Sequence, residues 1–232
     1  MGFSDSHHFR KMIAGVCMVL GPLFALASFV VSPAMHTGAA KALASAAAHQ
    51  DRYLLSALFA VVAVGLIIVA TLGLMHMLRE RMVTYGHIGG GLALIGLVLA
   101  MAGAGFSLLA WQMVKDGVQP SDIAAYHGAT HATASMLTLF ILPLLSAVGY
   151  VVLAAGLWRA RAVDWWMAAF MAIGAVAINV ALAAASVAVG IAGSAVFLVG
   201  LGAIGMMVVR ETDAEWEHTP EYQGFRPAAG MR

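Results

Sequence analysis

The sequence predicts an all-α integral membrane protein with six transmembrane helices and with both its N- and C-termini in the cytoplasm. Two features of composition predict this class. The 232 residues are 62% hydrophobic and only 10% charged, whereas soluble domains average about 25% charged residues. The apolar residues also fall in long runs of roughly 20 residues, the length that crosses a hydrocarbon core of about 30 Å.

The apolar runs place the predicted spans near residues 12–31, 53–77, 88–111, 132–157, 165–188 and 192–209. They form a single membrane domain, and residues 210–232 form a polar cytoplasmic tail. The polar lead before the first span ends in Arg10 and Lys11, as in a signal peptide. The apolar run is longer than the roughly 7–15 residues of a signal peptide, so we predict an uncleaved first span.

The first two connections differ in character. Residues 32–52 form an alanine-rich segment, whose composition favours a helix that lies at the interface or extends the second span. A tight loop joins the second and third spans, and the third span opens with Gly86, Gly89, Gly90 and Gly91. Glycines let helices approach closely in lipid, so we predict a helix-packing seam within this chain.

The second half of the chain is predicted from one proline and one long apolar run. Pro143 lies near the middle of the fourth span, where the missing backbone donor predicts a kink. Residues 165–209 contain no charged residue. One helix of this length would measure about 65 Å, twice the thickness of the membrane core, so two spans are expected. The segment Gly190–Ser194 is predicted to turn between them.

The distribution of positive charge predicts the orientation. With the N-terminus inside, nine Arg and Lys residues lie on the cytoplasmic side and three on the outer side. This asymmetry follows the positive-inside rule. The cytoplasmic set is Arg10, Lys11, Arg79, Arg81, Arg159, Arg161, Arg210, Arg226 and Arg232, and the outer set is Lys41, Arg52 and Lys115.

Histidines on the outer side are the best candidates for a binding site. His127 and His131 are four residues apart and therefore share one face of a helix. His36 follows the first span at the same predicted depth. Three imidazoles could hold zinc or copper, and two could hold a haem iron. Trp111 and Tyr126 are possible walls of such a pocket, although histidines at an interface can also be solvated polar caps.

A second histidine pair is expected on the cytoplasmic side. His76 and His87 lie near the facing ends of the second and third spans, which the tight loop makes neighbours. If they face each other, they could hold a haem, and with the outer set they would make a two-haem cytochrome. The alternative is that both are polar residues that anchor the helix ends beside Arg79 and Arg81.

The predicted function follows from what the spans contain. Their interiors carry no Asp, Glu, Lys or Arg, which argues against a proton-coupled pump or a carboxylate enzyme within the bilayer. Asn179, the one strongly polar side chain well inside a span, is expected to bond between helices. The net charge of +1 argues against nucleic acid as a partner.

The sequence therefore favours a non-catalytic polytopic protein, an accessory or assembly subunit of a larger complex in a bacterial cytoplasmic membrane, over an enzyme. Expected partners are the lipid bilayer and other membrane subunits, which the tail aromatics Trp216, Tyr222 and Phe225 could contact. The first alternative is a metal- or haem-binding redox protein built on the outer histidines. The second is a small transporter or lipid-modifying protein with a cavity beside Pro143.

Overall fold

The structure is a computed structural model that describes residues 6–35, 39–117, 142–212 and 216. In these residues the chain forms seven α-helices and one 3-10 turn, and no strand. The helices are α1 Ser6–Val31, α2 Ala39–Ala48, α3 Gln50–Met77, α4 Val83–Lys115, α5 Leu145–Arg159, α6 Trp165–Ala183 and α7 Val187–Arg210, and the 3-10 turn is Leu142–Leu144.

Five of these helices are long and apolar enough to cross a membrane, namely α1, α3, α4, α6 and α7. Helix α5 is a shorter apolar helix of 15 residues. Residues 118–141, which contain the first part of the predicted fourth span, lie outside the described residues. The prediction of an all-α membrane protein with six membrane helices is confirmed.

The six membrane helices form a closed ring. Each helix packs against its neighbour in the order α1, α3, α4, α5, α6 and α7, and α7 returns to α1. Neighbouring helices are antiparallel. In the pair α6 and α7, Gly174 of α6 approaches Phe197 of α7, and Gly200, further along α7, approaches Met171, which lies earlier on α6. An up-and-down order of this kind needs only short connections, as in simple helix bundles.

The start of α1 and the end of α7 lie at the same end of the ring. The Lys11 ammonium group donates a hydrogen bond to the Glu211 carbonyl oxygen over 2.8 Å. Because all neighbouring helices are antiparallel, this end also receives the α3–α4 and α5–α6 connections. We call it the basic end, since Arg10, Lys11, Arg79, Arg81, Arg159, Arg161 and Arg210 belong to it. By the positive-inside rule it is expected to face the cytoplasm.

Side chains from several helices fill the centre of the ring. Tyr150 of α5 lies fully buried between α3 and α7. Its hydroxyl is 2.6 Å from the Thr71 hydroxyl of α3, and its ring meets the Phe197 ring of α7 edge to face at 5.3 Å. Met18 and Leu74 are likewise fully buried. Because these side chains occupy the axis, the described part of the bundle has a packed centre.

Glycines allow most of the helix contacts in the ring. A Cβ added at Gly149 of α5 would lie 2.6 Å from the Gly89 carbonyl oxygen of α4. A Cβ added at Gly205 of α7 would lie 2.6 Å from the Gly15 carbonyl oxygen of α1. In lipid, where helices gain little from excluding water, such close backbone approach supplies much of the packing energy. The predicted seam in α4 is present at Gly86 and Gly90, which contact α3, and at Gly89, which contacts α5, but not at Gly91.

The turn between the last two helices differs from the prediction. The sequence predicts it at Gly190–Ser194, but the chain turns at residues 184–186, and α7 has already begun at Val187. Ala185 takes the left-handed conformation with φ 49°, and the Ser186 side chain caps α7 by accepting from the Val189 amide. Gly190 instead packs against the Phe29 ring of α1. Gly190 therefore allows close helix packing and is not part of the turn.

Two other predicted features occur in modified form. The alanine-rich segment does fold as a helix, α2, which packs against α3 and α4 at the end opposite the basic end. Pro143 lies in the 3-10 turn before α5, so the described part of the fourth span is not one continuous α-helix. The Ser146 hydroxyl donates to the Pro143 carbonyl oxygen over 2.7 Å, which satisfies an acceptor freed by the change of helix type.

Candidate functional site

The outer histidine site falls mostly beyond the described residues. His36, Tyr126, His127 and His131 all lie outside them. Trp111 is described and lies near the end of α4, where the Lys115 ammonium group is 4.9 Å from the centroid of its ring. The Trp111 indole N–H is buried and finds no hydrogen-bond partner among the described residues. This end of α4 therefore presents one cation and one buried donor.

The two histidines that were predicted on the cytoplasmic side, His76 and His87, have separate partners. His76 stacks on Trp216, with ring centroids 4.8 Å apart, and its Nε2 is 3.2 Å from the Trp216 carbonyl oxygen. Its Nδ1 faces the Arg79 guanidinium at 3.4 Å. His87 is exposed, and its Nδ1 is 2.9 Å from the Val83 carbonyl oxygen. Within the described ranges, no group of three or more His, Cys, Asp or Glu side chains could hold a metal ion.

Trp216 ties the tail to the helix bundle. This side chain is only 4% exposed and belongs to the main hydrophobic core. Its amide donates a hydrogen bond to the Thr212 carbonyl oxygen over 3.1 Å. We expected Trp216 to be available to another subunit. Because its ring is buried on His76 within the chain, it instead fixes the end of α7 to the end of α3.

The basic end also carries a groove at the α5–α6 connection. It is lined by Trp158, Arg159, Arg161, Ala162, Val163, Asp164, Trp165 and Met207. The Arg81 guanidinium reaches from the α3–α4 connection and donates to the Ala160 carbonyl oxygen at 3.3 Å. Arg159 donates to the Tyr85 hydroxyl and lies 5.5 Å from the centroid of that ring. Three guanidinium groups thus gather around one short turn.

Hydroxyl and amide groups link the helices inside the membrane region. The Asn179 side-chain amide of α6 donates to the Ser146 hydroxyl of α5 over 3.3 Å, as expected for an interhelical bond. The Ser28 and Ser56 hydroxyls, on α1 and α3, are 3.3 Å apart and bond to each other's backbone. These uncharged groups join neighbouring helices, which is a structural role.

Sequence reasoning missed both Trp216 as a core residue and the groove around Arg159. A signal existed for the groove, since the segment WRARAVDWW combines two arginines with three tryptophans. Nothing in the sequence indicated which tail aromatic would dock, because the tail shows no helical periodicity of apolar residues.

Comparisons with known proteins do not supply a family. The chain matches no protein-family model, no curated protein and no solved structure. The apolar helices indicate a polytopic helical membrane protein.

Proposed function

We propose that this protein is a non-catalytic accessory or assembly subunit of a larger complex in a bacterial cytoplasmic membrane. The observation that carries the proposal is the outward face of α4. This helix is peripheral: of its most apolar 18-residue stretch only 17% is buried, compared with 50% in α1 and 44% in α7. With 33 residues it measures about 50 Å, well beyond the thickness of the hydrocarbon core.

A regular stripe runs along this face. We call it the α4 stripe, and it consists of Ile88, Gly91, Ile95, Val98, Ala102, Gly105 and Leu109. The spacing between successive members alternates between three and four residues. This is the spacing of the contact residues in a left-handed coiled coil of two helices. Ile88, Ile95 and Val98 are each more than half exposed. A partner helix laid along the stripe would bury all seven positions.

The glycines of the stripe support a protein partner over lipid. A glycine inside a helix lowers its stability by roughly 1 kcal/mol relative to alanine. Most of the other helical glycines offset this cost by letting another helix approach. At Gly91 and Gly105, in contrast, an added Cβ would meet no atom of the described residues within 4 Å. At these two positions, close packing of a helix from another subunit would offset the cost of glycine in the same way.

Replacing the small residues of the stripe is expected to release the partner. Gly91→Leu and Ala102→Leu would each fill the space that a partner helix needs, so both variants should lose co-purifying membrane subunits. The measurement is the subunit composition of the tagged protein, extracted in mild detergent, by quantitative mass spectrometry. The matched control is Ala192→Leu, since Ala192 is an exposed alanine on α7.

The control variant should keep the same partners as the wild type. A wild-type protein that purifies alone, as a monodisperse monomer, would contradict the proposal. Partners retained equally by all three variants would also count against the α4 stripe as the docking surface.

A second candidate function is metal or haem binding, in a redox role, at the outer histidines His36, His127 and His131. It is favoured by the buried Trp111 indole N–H, which lacks a partner among the described residues and could donate to a bound ligand or to its water. Three neutral imidazoles provide a ligand set for zinc or copper, and two provide one for haem iron.

This candidate predicts a bound metal or chromophore that depends on the outer histidines. Metal analysis and a visible spectrum of the purified protein should show zinc, copper or haem, and His127→Ala or His131→Ala should remove it. His87→Ala is the control, because this exposed histidine lies in the first turns of α4, at the basic end. A protein without metal or chromophore, whose thermal stability does not change on adding zinc, copper or haem, would reject the candidate.

A further inference from the structure

We infer that the groove at the α5–α6 connection binds the headgroup of an anionic phospholipid from the leaflet at the basic end. This site is independent of the proposed subunit role, because it lies on different helices from the α4 stripe. The ligand is a lipid that stays in the membrane, with its phosphate at the arginines and its glycerol backbone over the apolar part of the groove.

The charge of the groove favours an anion. Arg159 and Arg161 line it and Asp164 is its one acid, while Arg81 approaches the same turn through its bond to the Ala160 carbonyl oxygen. In the described residues the one side-chain salt bridge joins Arg79 to Glu80, so these three guanidinium groups have no carboxylate partner there. Guanidinium groups bind phosphate oxygens through paired, charge-assisted hydrogen bonds.

The backbone of the turn positions Arg161 at the rim. Its φ of 52° is left-handed, a conformation that helix ends usually give to glycine. The Arg161 amide donates to the Trp158 carbonyl oxygen at 3.0 Å and the Ala162 amide to the Leu157 carbonyl oxygen at 3.0 Å, which is the Schellman pattern. This backbone conformation is less favourable for arginine than for glycine, because the arginine Cβ lies too close to the following carbonyl oxygen. Binding of a lipid phosphate by the Arg161 side chain would account for an unfavourable residue at this position.

The orientation of Arg159 is also fixed before any ligand binds. The Tyr85 hydroxyl accepts from its guanidinium, and the Tyr85 ring lies beside it. Because the side chain is already held, less conformational entropy is lost when it binds an anion.

The walls of the groove indicate a lipid and not a soluble anion. Trp158 and Trp165 are 58% and 69% exposed, and tryptophans with this exposure at helix ends lie at the level of the headgroups. Val163 and Met207 add apolar surface beside the arginines. Basic pockets between helices on the cytoplasmic side are suited to anionic headgroups.

The test is a titration of the purified full-length protein with phosphatidylglycerol or phosphatidylcholine, followed by native mass spectrometry. We expect the wild type to prefer phosphatidylglycerol. Arg161→Gln should weaken this binding about five- to sixfold, and Arg159→Gln with Arg161→Gln about 30-fold, since one arginine near an anionic surface contributes about 1 kcal/mol. Arg161 is exposed in a turn, so its single variant is expected to fold normally.

Arg210→Gln is the matched control, because it removes one exposed arginine at the same end but outside the groove. Its binding of phosphatidylglycerol should equal that of the wild type. Equal binding by wild type and double variant would overturn the inference. So would an equal loss in Arg210→Gln, which would indicate diffuse attraction, or displacement of the lipid by millimolar inorganic phosphate, which would indicate a soluble anion.

Discussion

Gly149→Ala is expected to lower the free energy of unfolding by about 1–3 kcal/mol, the usual cost of forcing extra atoms into a packed core. The added methyl group would lie 2.6 Å from the Gly89 carbonyl oxygen and 2.7 Å from the Ala93 Cα. Both are backbone atoms of α4, so no side-chain rotation can relieve the clash, and α4 and α5 must move apart. Unfolding by sodium dodecyl sulfate in mixed micelles measures the change.

Gly65→Ala is the matched control for this variant. A Cβ at Gly65 of α3 would meet only the Met101 methyl group at 3.8 Å, an ordinary contact. The same chemical change should therefore leave the free energy of unfolding unchanged or raise it by up to about 1 kcal/mol, through helix propensity. A Gly149→Ala protein as stable as Gly65→Ala would show that α4 and α5 do not approach as described.

Tyr150→Ala should have the largest effect on stability, about 3–5 kcal/mol, the range for removing a buried aromatic ring. Tyr150 is fully buried at the centre of the ring of helices and contacts both Thr71 and Phe197. Its removal leaves a cavity between α3, α5 and α7 that backbone movement can fill only in part. The measurement is again the free energy of unfolding in mixed micelles.

Tyr150→Phe separates the ring from its hydroxyl. The Thr71 hydroxyl donates its one hydrogen to the Ile67 carbonyl oxygen at 2.8 Å, so the Tyr150 hydroxyl must be the donor in their 2.6 Å contact. The phenylalanine variant loses that single bond and leaves Thr71 satisfied through Ile67. It should cost about 0.5–1.5 kcal/mol. Equal losses for both variants would show that the ring does not fill the centre.

The membrane spans could be predicted from the sequence because each span is a long run of apolar residues without charge. The charge-free run at residues 165–209 required two helices, and two helices form. The position of the turn between them could not be predicted in this way. Glycine permits both a turn and a close helix contact, and only the neighbouring Phe29 ring decides that Gly190 does the second. Ala185, with no turn signal of its own, takes the left-handed position.

The candidate sites were less predictable, because they depend on which helices are neighbours. His76 and His87 are close to one loop, but their partners are Trp216 and the Val83 carbonyl oxygen. The partner of His76 comes from 140 residues along the chain, which no local pattern encodes. Of the three arginines around Ala160, Arg81 comes from the α3–α4 connection, Arg159 ends α5 and Arg161 follows it. They meet only because α4 and α5 pack together. The outer histidines remain a prediction.

If the α4 stripe docks another membrane subunit, as we claim, photocrosslinking in intact membranes will capture the contact. A photoreactive residue at position 91 or 102 should give one discrete product that contains this chain and a second, different membrane polypeptide. The same residue at position 192, on the exposed side of α7, should give none. The claim would be contradicted by products from position 192 equal to those from the stripe, by products that contain only this chain, or by no product from the stripe.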